Sequence, residues 1–169
     1  MIEVRSNFTL EEIPRLYELE KICFPEPIRW GEKDFAPALA ASDVWVAEFV
    51  EDGCACGQIW NCTCNDTPNE TREIIGFLSA SVERRQGHIA TVNVDPAHRG
   101  HGVAVKLVTA AQDEYRKRGF TQMFLEVGVD NPAQTLYFKL GYRVTTVRKK
   151  WYEDGGHCLY MIKPLTETI

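Results

Sequence analysis

The stretch VNVDPAHRGHGVAVKLV, residues 92–108, decides how this sequence folds. A β-branched apolar run ends at Val94, and an amphipathic helix is predicted over residues 103–118. The loop between them carries one cation and several small residues: Arg99, Gly100, Gly102 and Ala104. A helix start exposes unpaired amides and the positive end of the macrodipole, and small residues let a phosphate approach closely. The stretch therefore predicts a pyrophosphate site, to which Arg99 adds a charge-assisted contact.

This loop is neither of the two common nucleotide-binding motifs. It lacks the Gly-Lys-Ser/Thr ending of a P-loop and the three-glycine spacing of a dinucleotide fingerprint. On the loop alone, a glycine-bearing turn before a helix, with Arg99 solvated, remains an equal alternative.

Hydrophobic periodicity on both sides of the loop predicts a mixed α/β domain around one central sheet. Strands are predicted at 2–7, 44–50, 73–83, 88–94, 123–129, 142–152 and 157–165. Helices are predicted at 10–23, 32–41, 103–118 and from Asn131–Pro132 to about Gly141, with Thr9 and Glu12 capping the first. The order is strand, two helices, three strands, helix, strand, helix, two strands.

Two motifs in this order resemble the GNAT superfamily of N-acetyltransferases. The superfamily's motif A, Arg/Gln-x-x-Gly-x-Gly/Ala, is similar to Arg99-Gly-His-Gly102-Val-Ala104, and its second motif is similar to LEVGVDNPAQTLYFKLGYRV, residues 125–144. The resemblance implies a mostly antiparallel seven-stranded sheet, splayed at strands 4 and 5 and flanked by about four helices. It also implies a single domain over residues 1–169, in which the polar segment 51–73 is a hairpin insertion.

The resemblance implies acetyl-coenzyme A as cosubstrate. Backbone amides of the loop would bind the pyrophosphate, the end of the preceding strand would pair with the pantetheine arm, and Arg99 and Asn131 would complete the set. The residues expected at the coenzyme are Val92, Asn93, Val94, Arg99, Gly100, His101, Gly102, Val103, Ala104, Val105 and Asn131.

Two further segments resemble the protein N-alpha-acetyltransferase branch, which includes the ribosomal-protein-alanine type called RimI. These are CFPEPIRW at 23–30 and RKKWYEDGGHCLYMIKPL at 148–165. By resemblance, Glu26, Trp151 and Tyr152 flank the entrance for a protein amino terminus. A small amine or a lysine side chain is the alternative acceptor, and a non-catalytic acyl-coenzyme A sensor is the alternative class.

The same resemblance assigns Glu126 as the general base and Tyr137 as the general acid. A modest base is enough for an α-amine, because its reference pKa is about 7.7–8.0 against about 10.4 for lysine. A solvated strand carboxylate at 126 and a merely packed ring at 137 are the structural alternatives. His88 is a possible second base, although a surface histidine is the expected interpretation. The chain is one residue shorter than usual between Asn131 and Tyr137.

Composition restricts the partners. The 169 residues carry a formal net charge of -5, which argues weakly against nucleic acid and is compatible with a cationic amine. No apolar run approaches the roughly 20 residues needed to span a bilayer, and the amino terminus lacks a signal-peptide pattern. We therefore expect a cytoplasmic protein without a membrane partner; a monomer and a homodimer both remain open.

Four of the six cysteines, Cys54, Cys56, Cys62 and Cys64, form a C-x-C-x5-C-x-C pattern. Residues two apart share one face of a strand, so a hairpin can bring all four together as a zinc site. Structural zinc sites usually show a C-x2–4-C spacing instead. Free thiols and no metal are therefore expected.

Overall fold

The strand that ends at Val94 lies in the middle of a seven-stranded sheet in the computed structural model. The structure describes residues 1–26, 28–54, 68–152 and 154–166. The strands are β1 Ile2–Ser6, β2 Asp43–Cys54, β3 Pro68–Glu83, β4 Gln86–Val94, β5 Gln122–Gly128, β6 Arg143–Arg148 and β7 Cys158–Pro164. The helices are α1 Ile13–Cys23, α2 Glu32–Ala40, α3 Val103–Lys117 and α4 Gln134–Lys139.

The sheet has the order β1-β2-β3-β4-β5-β7-β6. Its pairs are antiparallel except β4 with β5, which run parallel. The element order and the mostly antiparallel seven-stranded sheet predicted from the sequence are confirmed.

The parallel pair opens after three positions. Pairing ends at Ile89 with Leu125, while β4 continues to Val94 and β5 to Gly128. At the same point the register with β3 shifts, and Ala90 becomes an extra residue between Ile89 and Thr91. Because side chains alternate along a strand, one extra residue exchanges the two faces beyond it. The expected splay between strands 4 and 5 is therefore confirmed, and a β-bulge on β4 accompanies it.

Each face of the sheet carries its own apolar core. On one face, α3 buries Val103, Leu107 and Ala111 in a cluster that also contains Tyr137 of α4. On the other face, α1 and α2 form a second cluster with Leu16, Leu19, Phe35, Leu39 and Phe77 among its members. The splay separates β4 from β5 where these two layers meet, so a ligand lying there can be reached from both faces.

Three boundaries differ from the sequence predictions. Helix α4 begins at Gln134, because Asn131 Oδ1 accepts the Ala133 amide at 2.9 Å and holds residues 131–133 in a turn. Strand β6 ends at Arg148, because Lys150 has a φ of 50° and the chain turns there. Strands β2 and β3 are longer than predicted: their pairing reaches Cys54 with Pro68, so both arms of segment 51–73 are β-structure.

The predicted cap of the first helix is present, since Glu12 Oε2 accepts the Thr9 amide at 2.8 Å. A 3₁₀ turn over Leu10–Glu12 precedes α1. Of the cysteine pattern, Cys56, Cys62 and Cys64 lie outside the described residues, so the expectation of free thiols is untested there. Within the described part of the chain, no group of three or more His, Cys, Asp or Glu is placed to hold a metal ion. No helix in that part is long and apolar enough to cross a membrane.

Candidate active site

A cleft of about 1250 Å³ lies where β4 and β5 separate. Its walls come from the loop before α3, the open ends of β4 and β5, helix α4, and the α1–α2 and β6–β7 connections. The cleft brings together the following predicted residues: Val92, Val94, Arg99, Gly100, Gly102, Val103, Ala104, Val105, Glu126, Asn131, Tyr137, Trp151 and Tyr152. Asn93, His101 and Glu26 do not line it.

The loop before α3 is shaped to hold an anion. Gly100 and Gly102 have φ of 81° and 80°, a region that favours glycine, and neither position has a neighbour within 4 Å of where a Cβ would stand. The amides of residues 100–105 donate to no described backbone or side-chain group. Six unpaired amides at the start of a 15-residue helix suit the pyrophosphate of coenzyme A. The predicted loop therefore fits the cosubstrate.

Arg99 and His101 contribute less than their positions suggest. The Arg99 Nε donates to the Val94 carbonyl at 3.1 Å, which ties the guanidinium to the end of β4. The His101 side chain is exposed beyond the lining of the cleft. The backbone amides are therefore better placed than these two side chains to contact an anion.

The open edge of β4 presents Val92 and Val94 to the cleft, but the Asn93 side chain points elsewhere. Asn93 is fully buried, and its Nδ2 donates to Glu20 Oε2 on α1 at 3.0 Å. Burial raises the pKa of the Glu20 carboxyl, although hydrogen bonds from Trp30, Asn93 and Thr91 act against the rise. Only the backbone of Asn93 is therefore placed to meet the pantetheine arm; its side chain joins β4 to α1.

Glu126 projects from β5 towards the α1–α2 face, with 12% of its side chain exposed. Its Oε2 lies 2.9 Å from His88 Nε2, and its Oε1 accepts from Arg148 at 2.7 Å. The interpretation of Glu126 as a solvated carboxylate is wrong for this structure, because the group is mostly buried and held on both oxygens.

His88 is not the simple surface histidine that the sequence led us to expect. Its ring stacks on Phe124 with centroids 4.5 Å apart, and its Nδ1 lies 2.7 Å from Glu83 Oε1. Burial lowers the pKa of His88, but the hydrogen bonds and charges of Glu126 and Glu83 outweigh it, so the pKa is raised. Because both ring nitrogens face carboxylates, the imidazolium form satisfies both contacts at once.

Arg148 is a site residue that the sequence did not reveal. Its guanidinium carbon lies 4.5 Å from the Trp151 ring centroid and 4.2 Å from that of Tyr160. The two aromatic faces and Glu126 hold the cation in one orientation. The available signal was an arginine three residues before Trp151. Tyr160 is brought beside Glu126 only by the β5–β7 register.

Tyr137 enters the cleft from α4, on the other side of the sheet from His88. The residue is 8% exposed, and its ring meets Tyr142 edge-on at 5.8 Å. Burial, together with the neighbouring Tyr142 and Tyr152, raises the pKa of Tyr137 above its usual value. The hydroxyl makes no hydrogen bond to a described residue, and it is not among the fully enclosed polar atoms. A protonated phenol without a partner is thus available to a ligand in the cleft.

The three residues predicted to flank the acceptor entrance lie in different parts of the cleft: two in its wall and one at its rim. Trp151 and Tyr152 line the cleft from the β6–β7 connection, where burial, together with nearby Cys158 and Glu126, raises the pKa of Tyr152 to about 12. Glu26 is exposed and pairs with Arg29 on the α1–α2 connection. Its side chain lies at the rim, whereas Pro25 and Ile28 beside it form the wall.

The cleft combines a loop suited to a diphosphate, an open strand edge, a carboxylate and a phenol. These are the groups that an acyl-transferring enzyme needs. The chain belongs to the acetyltransferase (GNAT) family, whose family model matches residues 13–142. The predicted family is confirmed, and so is acetyl-coenzyme A as the cosubstrate that GNAT acetyltransferases use.

Individual relatives include both protein and small-molecule acetyltransferases. The chain is 26% identical over 152 residues to a putative [ribosomal protein bS18]-alanine N-acetyltransferase of Bacillus subtilis, covering 89% of this chain and 87% of the relative. It is 32% identical over 166 residues to the streptothricin acetyltransferase of Streptomyces lavendulae, covering 94% and 77%. Several other curated relatives are matched over 46% to 64% of their own length.

The fold is shared with solved structures. The ribosomal-protein-S18-alanine N-acetyltransferase of Escherichia coli superposes with a TM-score of 0.73 at 23% identity, covering 100% of this chain and 97% of the other. At 23% identity, this similarity establishes the fold alone. The acceptor must be inferred from the residues of the cleft.

Proposed function

We propose that this protein transfers an acetyl group from acetyl-coenzyme A to the α-amine at a protein amino terminus. The observation that carries the proposal is the cleft itself, in which a mostly buried carboxylate, Glu126, and an unpartnered phenol, Tyr137, open onto the same space as the anion-binding loop. The names of relatives that acetylate ribosomal-protein alanine or protein α-amines support a peptide acceptor.

Binding relies on the backbone. The amides of residues 100–105 hold the diphosphate, and the unpaired edge of β4 beyond Ile89 pairs with the pantetheine amides. The cosubstrate supplies the thioester; the chain supplies orientation in a cleft that brings amine and carbonyl carbon together.

Glu126, rather than His88, is the proton acceptor in this proposal. An imidazolium whose two N–H groups both point at carboxylates has no lone pair to offer. Each Glu126 oxygen has a second lone pair beyond the one engaged by His88 or Arg148. The carboxylate can therefore take the amine proton, directly or through water, while its two partners keep it oriented.

Tyr137 donates its proton to the departing thiolate sulfur. The raised pKa keeps the phenol protonated through the neutral range, and no described residue competes for the hydroxyl. The proton lost by the amine goes to Glu126 and the proton gained by the thiolate comes from Tyr137, so one turnover leaves two groups to exchange protons with solvent.

The test is a panel of acceptors incubated with acetyl-coenzyme A while thiol release is recorded. The panel contains peptides with a free α-amine, the same peptides with a blocked amino terminus and an internal lysine, and polyamines. We expect turnover on the free α-amine peptides and much less on the others. Turnover restricted to the polyamines or the lysine peptides would contradict the N-terminal assignment.

A small-molecule amine is the second candidate acceptor, because the streptothricin acetyltransferase matches 94% of this chain at 32% identity. Adding a streptothricin-type antibiotic to the panel separates the two candidates. Acetylation of the antibiotic without acetylation of any peptide would select this alternative. Coenzyme binding without turnover on any amine would select the acyl-coenzyme A sensor.

A further inference from the structure

The turn between β3 and β4 has an unusual sequence for its geometry. Glu83 pairs with Gln86, so Arg84 and Arg85 form a two-residue hairpin loop. Their φ angles are 47° and 66°. Two-residue turns with both φ angles positive favour Asn-Gly, because a side chain is disfavoured in this region. Two arginines here, named the arginine turn below, are held in a conformation that local sequence preference opposes.

The arginine turn also carries two charges that have no ion-pair partner among the described residues. Both residues are exposed, Arg84 lines the cleft, and neither makes a hydrogen bond or ion pair with a described residue. The neighbouring charges, in contrast, pair in alternation: Glu83, His88, Glu126 and Arg148 form a chain of contacts at 2.7, 2.9 and 2.7 Å. With His88 protonated that chain sums to zero, so the arginine turn leaves the acceptor end of the cleft positive.

The position of the turn fits a particular part of an acceptor peptide. In the proposed reaction the acceptor amine lies beside Glu126. Glu126 is separated from Glu83, the neighbour of Arg84, by two hydrogen bonds and the imidazole ring of His88. That span equals roughly two to three residues of extended peptide, at about 3.3 Å each. Burial and the charges of Glu126 and Glu83 raise the pKa of Tyr160, while the charges of Arg148 and Arg84 act against the rise. Arg84 is therefore within electrostatic reach of the acceptor wall.

We infer that the arginine turn selects acceptor peptides that carry Asp or Glu at their second or third residue. The inference rests on the proposed transfer to a protein amino terminus and names the acceptors preferred among such peptides. A carboxylate at this distance can meet the exposed guanidinium of Arg84, which is ready to bind because no ion pair with a described residue must first be broken.

The experiment compares peptides that differ only as Asp against Asn at residues two and three. For the native protein we expect a KM roughly 1.5- to fivefold lower for the Asp peptide, the size typical of exposed ion pairs. The difference should shrink at 0.5 M salt. In the R84N/R85G variant the KM values for the Asp and Asn peptides should become equal while the melting temperature does not fall, since Asn-Gly suits the turn. The R84K/R85K variant keeps the charge and should keep most of the preference.

Binding of the same peptides to the coenzyme A-loaded protein, followed by fluorescence anisotropy, separates the two proposals. If no peptide is acetylated, the N-terminal assignment fails, and the Asp-to-Asn ratio of the Kd values still decides on the arginine turn. Equal KM and Kd values for the two peptides in the native protein overturn the inference. A preference that survives unchanged in R84N/R85G overturns it as well.

Discussion

Replacing Tyr137 by Phe removes one oxygen atom and little else from the folded protein. The ring keeps its edge-on contact with Tyr142 at 5.8 Å, and no described group loses a hydrogen bond. We therefore expect the free energy of unfolding to change by no more than about 0.5 kcal/mol. If the hydroxyl protonates the leaving thiolate, kcat falls by about 10²–10⁴, equivalent to roughly 3–5 kcal/mol in the activation barrier.

The assay measures thiol release under saturating acetyl-coenzyme A and peptide, with coenzyme A affinity and melting temperature determined in parallel. Tyr142→Phe is a matched control, because Tyr142 is fully buried, does not line the cleft and accepts from Gln112 Nε2 at 3.3 Å. The control should lose about 1 kcal/mol of stability and keep its kcat. A Tyr137→Phe enzyme that folds normally and turns over within about threefold of the native rate would refute the general-acid role.

Three further predictions concern the charged chain and the sheet. Glu126→Gln should lower kcat at least about 10²-fold while coenzyme A affinity stays the same, which equilibrium titration with coenzyme A can check. The raised pKa of His88 should appear as an NMR titration midpoint above 6.5, and it should drop in Glu126→Gln. Since a raised histidine pKa stabilises the fold below the unfolded value of about 6.5, this contribution should disappear as pH rises through the folded pKa, and urea titrations at several pH values can measure the loss. Gly87→Ala would place a Cβ 2.5 Å from Tyr115 Cδ1 and 2.9 Å from Met123 Cγ, so denaturant unfolding should show a loss of about 1–3 kcal/mol.

The geometry of the proposed coenzyme half of the site could be predicted because its parts are contiguous in sequence. The loop from Arg99 to Ala104 joins a strand to a helix, and backbone amides need no particular side chain to point at a phosphate. Asn93 is the exception in this half. Its side chain turns away from the cleft towards α1, which follows from the extra residue at Ala90 that exchanges the faces of β4 and has no local sequence signal.

The acceptor half was harder because its parts meet through strand pairing. His88 faces Phe124 only by the parallel register of β4 with β5, and Tyr160 lies opposite Glu126 only by the antiparallel register of β5 with β7. A histidine taken by itself predicts a surface residue, and an arginine in a polar run predicts a solvated charge. Once the registers place His88 and Arg148 on either side of Glu126, both become partners of the candidate base.

The negative net charge of the chain favours a cationic acceptor, whereas the positive charge at the acceptor end of the cleft favours an acidic one. The charges closest to the bound acceptor have the larger effect. The formal net charge of -5 suggests attraction to a cationic partner, but exposed charges spread over the surface are screened beyond roughly 8–10 Å at physiological ionic strength. A peptide bound in the cleft would lie against Arg84, which lines it. Net charge therefore influences how often a partner arrives, whereas the arginine turn influences which peptide remains bound long enough to react. High salt should consequently reduce the discrimination between Asp and Asn peptides without reversing it.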